Sequence, residues 1–136
     1  MSFIRELTDH EIAARESSLD TAARLAGASR PLGTKHVQAL YDVLVAEDAG
    51  DEALIALGLA FGELIAAAPD FEWVRVSDEY GEETCVAARG KEISCAPISM
   101  IQKRIERRER VDIAELRDGI IASIRERIAE GSAKER

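Results

Sequence analysis

Aromatic residues are scarce in this 136-residue chain, which holds one Trp, two Tyr and three Phe. Its core must therefore be built from Leu, Ile, Val and Ala, and the hydrophobic content of 46% supplies them. Cysteine is rarer still. Cys85 and Cys95 are the two present, and two thiols in a well-stocked core make no disulfide framework. The two histidines, His10 and His36, have no ligand spacing to one another or to the cysteines, so no metal is expected. Phosphate-cradling glycine loops, dinucleotide fingerprints and a Ser-His-Asp order are missing, and no cofactor is expected. The longest apolar stretch, Ala53 to Ala68, covers 16 residues and is interrupted by Glu63. A membrane helix needs about 20. The opening "MSFIRELTDHEIAAR" also lacks the apolar run of a signal peptide. These absences predict a cytoplasmic protein with no place in a membrane.

Charge is abundant and unevenly placed. The chain carries -8 overall, with -10 in residues 1–98 and +2 in residues 99–136. Such an acidic molecule repels a phosphate backbone on average, which argues against nucleic acid as a partner. The basic exception is "KRIERRER", residues 103–110, where Lys103 and Arg107 lie one helical turn apart, as do Arg104 and Arg108.

Periodicity predicts an α+β fold: three N-terminal helices, a three-stranded antiparallel meander and two C-terminal helices, in one domain spanning 1–136. Thr8 and Glu11 have capping-box spacing and open a first helix that runs toward Gly27. Thr34 is expected to cap the second, with Val37, Leu40, Tyr41 and Leu44 on one face, and Asp51 the third. The third helix carries Gly58 and Gly62 one turn apart, each costing about 1 kcal/mol relative to Ala, so close approach of another backbone is expected to offset them. After Pro69 the period changes to that of strands, in "EWVRV", "TCVAA" and "EISCA". Ser99 with Gln102 and Asp112 with Glu115 have capping-box spacing for the last two helices, and Gly131 is expected to end the chain's last helix.

Three sets of residues are candidates for function. In "SDEYGEE", Asp78, Glu79 and Tyr80 precede Gly81, and carboxylates on a tight turn splay outward rather than converge. The stretch reads as a hairpin tip, with a partner-contacting tip as the alternative. Trp73 joins that surface only if the strand leaves it exposed. A four-residue loop puts Trp73 on the face opposite Cys85 and a five-residue loop puts them together. If "RGK" (89–91) is a three-residue loop, Cys85 and Cys95 face each other across two strands as small apolar residues. Lys103, Arg104, Arg107 and Arg108 form a solvated helix end or a docking patch for an acidic partner.

The segments "LGLAFGELI", "FEWVRVSDEYG", "PISMIQKRIE" and "VDIAELRD", in that order over residues 57–118, resemble a bacterial family catalogued as domain of unknown function 3806. The resemblance implies a family-like core at about 51–130 and a helical N-terminal extension over 1–50. This chain departs from the family in having Arg108 near where relatives often place a glycine. The family is uncharacterised, so no activity or catalytic residue comes with it.

With no catalytic set in the sequence, the leading expectation is a small non-enzymatic protein that binds another protein, as an adaptor or immunity-type inhibitor. The alternative is an enzyme or small-ligand protein with a helix/sheet cleft around Tyr41, Trp73, Asp78 or Tyr80. A third reading is a subunit of a homo-oligomer.

Overall fold

The computed structural model describes residues 3–48 and 50–134. The element order is β1 (Phe3–Arg5), α1 (Asp9–Ala26), α2 (Thr34–Ala46), α3 (Asp51–Ala66), β2 (Phe71–Asp78), β3 (Gly81–Ala88), β4 (Ser94–Cys95), α4 (Pro97–Glu106) and α5 (Ile113–Lys134). The fold is α+β, as the periodicity predicts. One antiparallel sheet runs in the order β1-β2-β3-β4.

The sheet has four strands rather than three. The extra strand, β1, pairs Phe3 to Ser77, Ile4 to Val76 and Arg5 to Arg75. That register sets two arginines opposite one another, which alone would repel. Glu11 resolves the conflict. Its carboxylate accepts from both Arg5 Nη atoms at 2.7 and 2.9 Å, and lies 3.4 Å from Arg75 Nε. Glu11 Oε1 also accepts the Thr8 N–H at 2.9 Å while Thr8 Oγ1 accepts the Glu11 N–H at 3.1 Å, which completes the expected capping box. One carboxylate thus caps α1 and holds the edge strand.

Other helix starts differ from the sequence reading by a residue. Gly33 and Gly50, in extended conformation, are the N-caps of α2 and α3, so Thr34 and Asp51 are already helical. Ser99 and Gln102 form no capping box. Pro97 begins α4, and the Ser99 N–H and Oγ both donate to Glu83 Oε1, at 3.2 and 2.7 Å. A carboxylate on β3 outcompetes the local partner. Asp112 does cap α5, accepting the Glu115 N–H at 3.0 Å. That helix continues through Gly131 to Lys134, because an exposed glycine lowers helix stability without blocking a turn.

At the centre lies α3, packed against all four other helices and against β2 and β3. Leu57, Phe61 and Ile65 are fully buried in it. The glycine pair behaves as expected at one site and differently at the other. A Cβ on Gly58 would sit 2.6 Å from Ile98 Cα, so there the neighbour is the backbone of α4. On Gly62 it would meet Trp73 Cη2 at 2.6 Å and Pro97 Cγ at 2.8 Å, both side chains. The glycines let the start of α4 and the tryptophan close on α3.

Candidate functional site

Asp78 and Gly81 pair at the end of the β2–β3 hairpin, with Glu79 and Tyr80 as the turn. Asp78 Oδ1 accepts the Tyr80 N–H at 2.8 Å, the side-chain-to-backbone bond that makes Asp a turn former. Gly81 takes the positive φ, 128°. Tyr80 is 89% exposed, and no second group approaches its hydroxyl closely enough to hydrogen-bond among the described residues. The tip is a turn with outward side chains.

Trp73 lies in mid-strand opposite Val86 and on the face away from Cys85, as the even loop dictates. Its indole is half-buried against Gly62, and the Arg15 guanidinium stacks over it at 5.3 Å. Five residues of strand, about 16 Å, separate it from the tip. Trp73 and Asp78-Glu79-Tyr80 therefore form no common surface. Tyr41 is also elsewhere, buried in α2 with its hydroxyl donating to the Glu109 carbonyl at 2.7 Å. Burial pushes its phenol pKa above the ordinary value. The helix/sheet cleft imagined around these four residues is not formed by them.

The cysteines do not face each other. Cys95 pairs with Val86, and Cys85 with Val74. The loop is longer than "RGK": Lys91 N–H closes a turn onto the Ala88 carbonyl at 3.0 Å, and the Ala88 N–H reaches Ile93 O at 3.0 Å. Four residues, 89–92, thus separate the paired positions. That shifts the register by one and moves the thiols to opposite faces. Cys85 packs with Val74 and Ala87, while Cys95 joins the main core. Both are free thiols. Burial pushes Cys85 up to about 12 and Cys95 up to about 11, so both stay protonated and weakly nucleophilic at neutral pH.

The basic run gathers several unpaired cations in one segment, whereas Arg24, Lys35 and Lys91 are scattered single ones among the described residues. Five cations, Lys103, Arg104, Arg107, Arg108 and Arg110, have no carboxylate within 4.0 Å among the described residues, and neither does Arg127 on α5. Arginines 5, 15, 30, 75, 89, 117 and 125 are all ion-paired. Lys103 and Arg107 point into solvent. Arg104 is half-buried, turned inward and bonded to its own helix at Met100 O, 3.1 Å away.

Arg108 has a second task. The Arg108 N–H donates to Ile105 O and the Glu109 N–H to Arg104 O, both at 3.0 Å, which closes α4 in a Schellman motif. The motif puts Arg108 at φ 55°, a conformation that favours glycine. What the arginine adds is a bond from Nη1 to Val45 O at 2.7 Å, on one of the free carbonyls at the end of α2. From α2, Gln38 answers in kind. Its Oε1 accepts the Ile113 N–H at 2.7 Å and its Nε2 donates to Val111 O at 2.9 Å. The α4–α5 connector is thereby clamped to α2 at both ends.

Between α4, the connector and α5 lies a groove of about 640 Å³. Met100, Leu116, Ile120 and Ile124 give it an apolar floor, with Cys95 at one end. Arg104, Arg110 and Arg127 stand along it, and Glu109, Asp112 and Glu115 gather at the connector end. Asp112 is engaged as the cap of α5. The sequence reading missed Met100, Arg127 and the floor residues, because the apolar stripe of α5 reads as core throughout. The signal was present in Arg127, one turn from Ile124 and so near that stripe.

The class is therefore an α+β domain, a four-stranded antiparallel sheet packed with five helices, with a groove between its last two helices lined by three arginines and three carboxylates. The chain belongs to the family described as Domain of unknown function (DUF3806), whose model matches residues 34–116. That match begins at the first residue of α2, earlier than the resemblance in the sequence placed it. A crystal structure from Bacteroides thetaiotaomicron VPI-5482, at 1.50 Å resolution, is similar in fold, with a TM-score of 0.71 at 12% identity. The likeness covers 88% of this chain and 47% of that one, so this chain spans about half the length of its structural neighbour. No curated protein matches it. Among the described residues no helix is long and apolar enough to cross a membrane.

Proposed function

We propose that this is a cytoplasmic, non-enzymatic protein that acts by binding another protein, as an adaptor or an immunity-type inhibitor. One observation carries the reading: on a molecule of net charge -8, six cations of α4, its connector and α5 have no ion-pair partner among the described residues, and three of them, Arg104, Arg110 and Arg127, line one groove. Unpaired charges of one sign at one end raise encounter rates with a partner of the opposite sign and suppress the wrong ones. The polar groups of the groove favour binding over chemistry. Asp112 is committed to a helix cap, Arg104 donates to a carbonyl, and the Cys95 thiol is protonated at neutral pH.

The test is photo-crosslinking in the cells that make the protein. A benzophenone side chain at Lys103 or Arg107 should give one defined protein adduct, and one at Tyr80 on the far hairpin should not. Adducts from Tyr80 with none from Lys103 or Arg107 would move the function to the tip. No protein adduct from either end, together with a small molecule that copurifies, would overturn the reading in favour of a ligand-binding protein.

A further inference from the structure

On α5, every fourth residue from Glu115 gives the row Glu115, Gly119, Ser123 and Arg127. Residues four apart stack one above another on a helix, so the four make a single ridge. All four are exposed, on the wall that α5 gives to the groove. The middle of the ridge is bare. No other part of the fold lies within 4 Å of where a Gly119 Cβ would stand, and serine is nearly as small. The ends carry opposite charges, and neither Glu115 nor Arg127 has an ion-pair partner within 4.0 Å among the described residues. A ridge that is acidic at one end, small in the middle and basic at the other is complementary to itself reversed.

We infer that α5 is the contact of a two-fold dimer, in which it crosses α5 of a second copy antiparallel. With the crossing midway between Gly119 and Ser123, each glycine meets the other copy's serine, and each Glu115 meets the other copy's Arg127. One self-complementary patch used twice is what two-fold symmetry requires, and it makes two ion pairs at once. Small residues at the crossing let the axes approach to about 8 Å, the short end of the usual range. Ridges of this kind interdigitate when the helices cross at about 50°, which keeps the ridges together while the axes diverge. Of the other charges on this face, Glu126 falls opposite Leu116 and Asp112 opposite Glu130. The like-charged pair lies about 13 Å along the axis from the crossing, off the ridge, where the helices have parted. A partner of one charge would be drawn to one end of the ridge and repelled by the other, whereas the reversed ridge suits both. Two helices cover less than the about 1,200 Å² of a standard interface, so the dimer is reversible and forms with concentration. This self-association is separate from the protein-binding reading above.

The experiment is sedimentation equilibrium of the full chain over about 5–500 μM, the range in which a weak dimer forms and dissociates. The parent protein should pass from monomer to dimer within it. Glu115→Arg alone, and Arg127→Glu alone, each set like charges against one another at both ends of the ridge. Either should weaken the dimer by at least about tenfold. Mixed in equal amounts, the two variants again face each other with opposite charges at both ends, and should form a heterodimer about as tight as the parent dimer. That recovery also shows that both variants are folded. Ser123→Trp props the helices apart and should abolish the dimer with unchanged circular dichroism. A parent that stays monomeric throughout would overturn the inference. A dimer indifferent to Ser123→Trp would place the contact elsewhere and overturn it too, as would charge variants that fail to combine. The binding of another protein is tested separately, by crosslinking from Lys103, and can fail or stand whatever the sedimentation shows.

Discussion

Replacing Gly58 with alanine adds one methyl group where α3 meets the backbone of α4. The new Cβ would lie 2.6 Å from Ile98 Cα, 3.1 Å from Ile98 Cγ1 and 3.2 Å from Ile98 Cβ. Carbon atoms prefer about 3.5–4.0 Å, so α4 would have to retreat by close to 1 Å. It is poorly placed to do so. Pro97 stiffens its first turn and packs near Gly62, while Ser99 is bonded twice to Glu83 on β3. Overpacking of this kind costs about 1–3 kcal/mol, and the gain in helix propensity returns about 1. The net loss expected is up to about 2 kcal/mol. Gly119→Ala is the matched control, because Gly119 is exposed on α5 with nothing within 4 Å of its would-be Cβ. It should stabilise by about 0.5–1 kcal/mol. The assay is urea unfolding. With an m-value of about 1.5 kcal/mol/M, the Gly58 variant should lose up to about 1.3 M in midpoint while the Gly119 variant gains about 0.3–0.7 M. Midpoints that move in the same direction would refute the close-approach explanation for the glycines in α3.

Three further outcomes are expected. Gln38→Ala removes the acceptor of the Ile113 N–H and the donor to Val111 O, and should cost about 2 kcal/mol; hydrogen exchange should quicken at Ile113 first, and unchanged protection there would count against the clamp. Arg108→Gly and Arg108→Ala both lose the bond to Val45 O, yet only glycine relieves the positive φ, so the glycine variant should be the more stable of the two by about 1 kcal/mol in thermal unfolding. Glu11 is held at about pKa 2, below its ordinary 4.5, by the Arg5 hydrogen bonds first and the Thr8 N–H second. Because the folded value is the lower one, its contribution is complete above about pH 4.5 and is lost as the pH falls toward 2. Glu11→Gln should therefore be less stable than the parent at pH 7, with the gap closing between pH 4.5 and 2; a gap constant across that window would remove the carboxylate from the account.

Much of the fold was legible because it depends on neighbours in sequence. The capping box at Thr8, the cap at Asp112, the buried stripe of α3 and the turn at Asp78-Gly81 each satisfy their own backbone within a few residues. What was illegible depends on partners far along the chain. Strand β1 is three residues long, its partner lies some 70 residues away, and its arginine faces another arginine. Nothing in "FIR" announces that Glu11 will sit between them. Ser99 had a correctly spaced Gln102 and still bonded to Glu83. The β3–β4 register turned on whether Glu92 belongs to the loop, and a single residue sent Cys85 and Cys95 to opposite faces. The site was half legible for the same reason. "KRIERRER" is plain in the sequence, whereas its relation to Arg127 and to the floor of the groove exists only once α4 and α5 have both been set on α3.

The clamp between α2 and the connector bears directly on that site. A basic segment needs no fixed geometry to attract an acidic partner, and a free one would serve for non-specific attraction. Here the chain instead fixes it. Arg108 is kept in a strained conformation where glycine would be easier, and the bond it gains ties the end of α4 to the end of α2. Tyr41 and Gln38 hold the next residues from below, through the Glu109 carbonyl, the Val111 carbonyl and the Ile113 N–H. Three α2 positions one turn or so apart thus set where α4 stops and where α5 starts, and so the width of the groove between them. Pre-forming a site in this way removes ordering costs that a flexible basic tail would meet on binding. The clamp and the groove are therefore parts of one arrangement: loosening the former through Gln38 should widen or blur the latter, even though Gln38 touches no part of its floor.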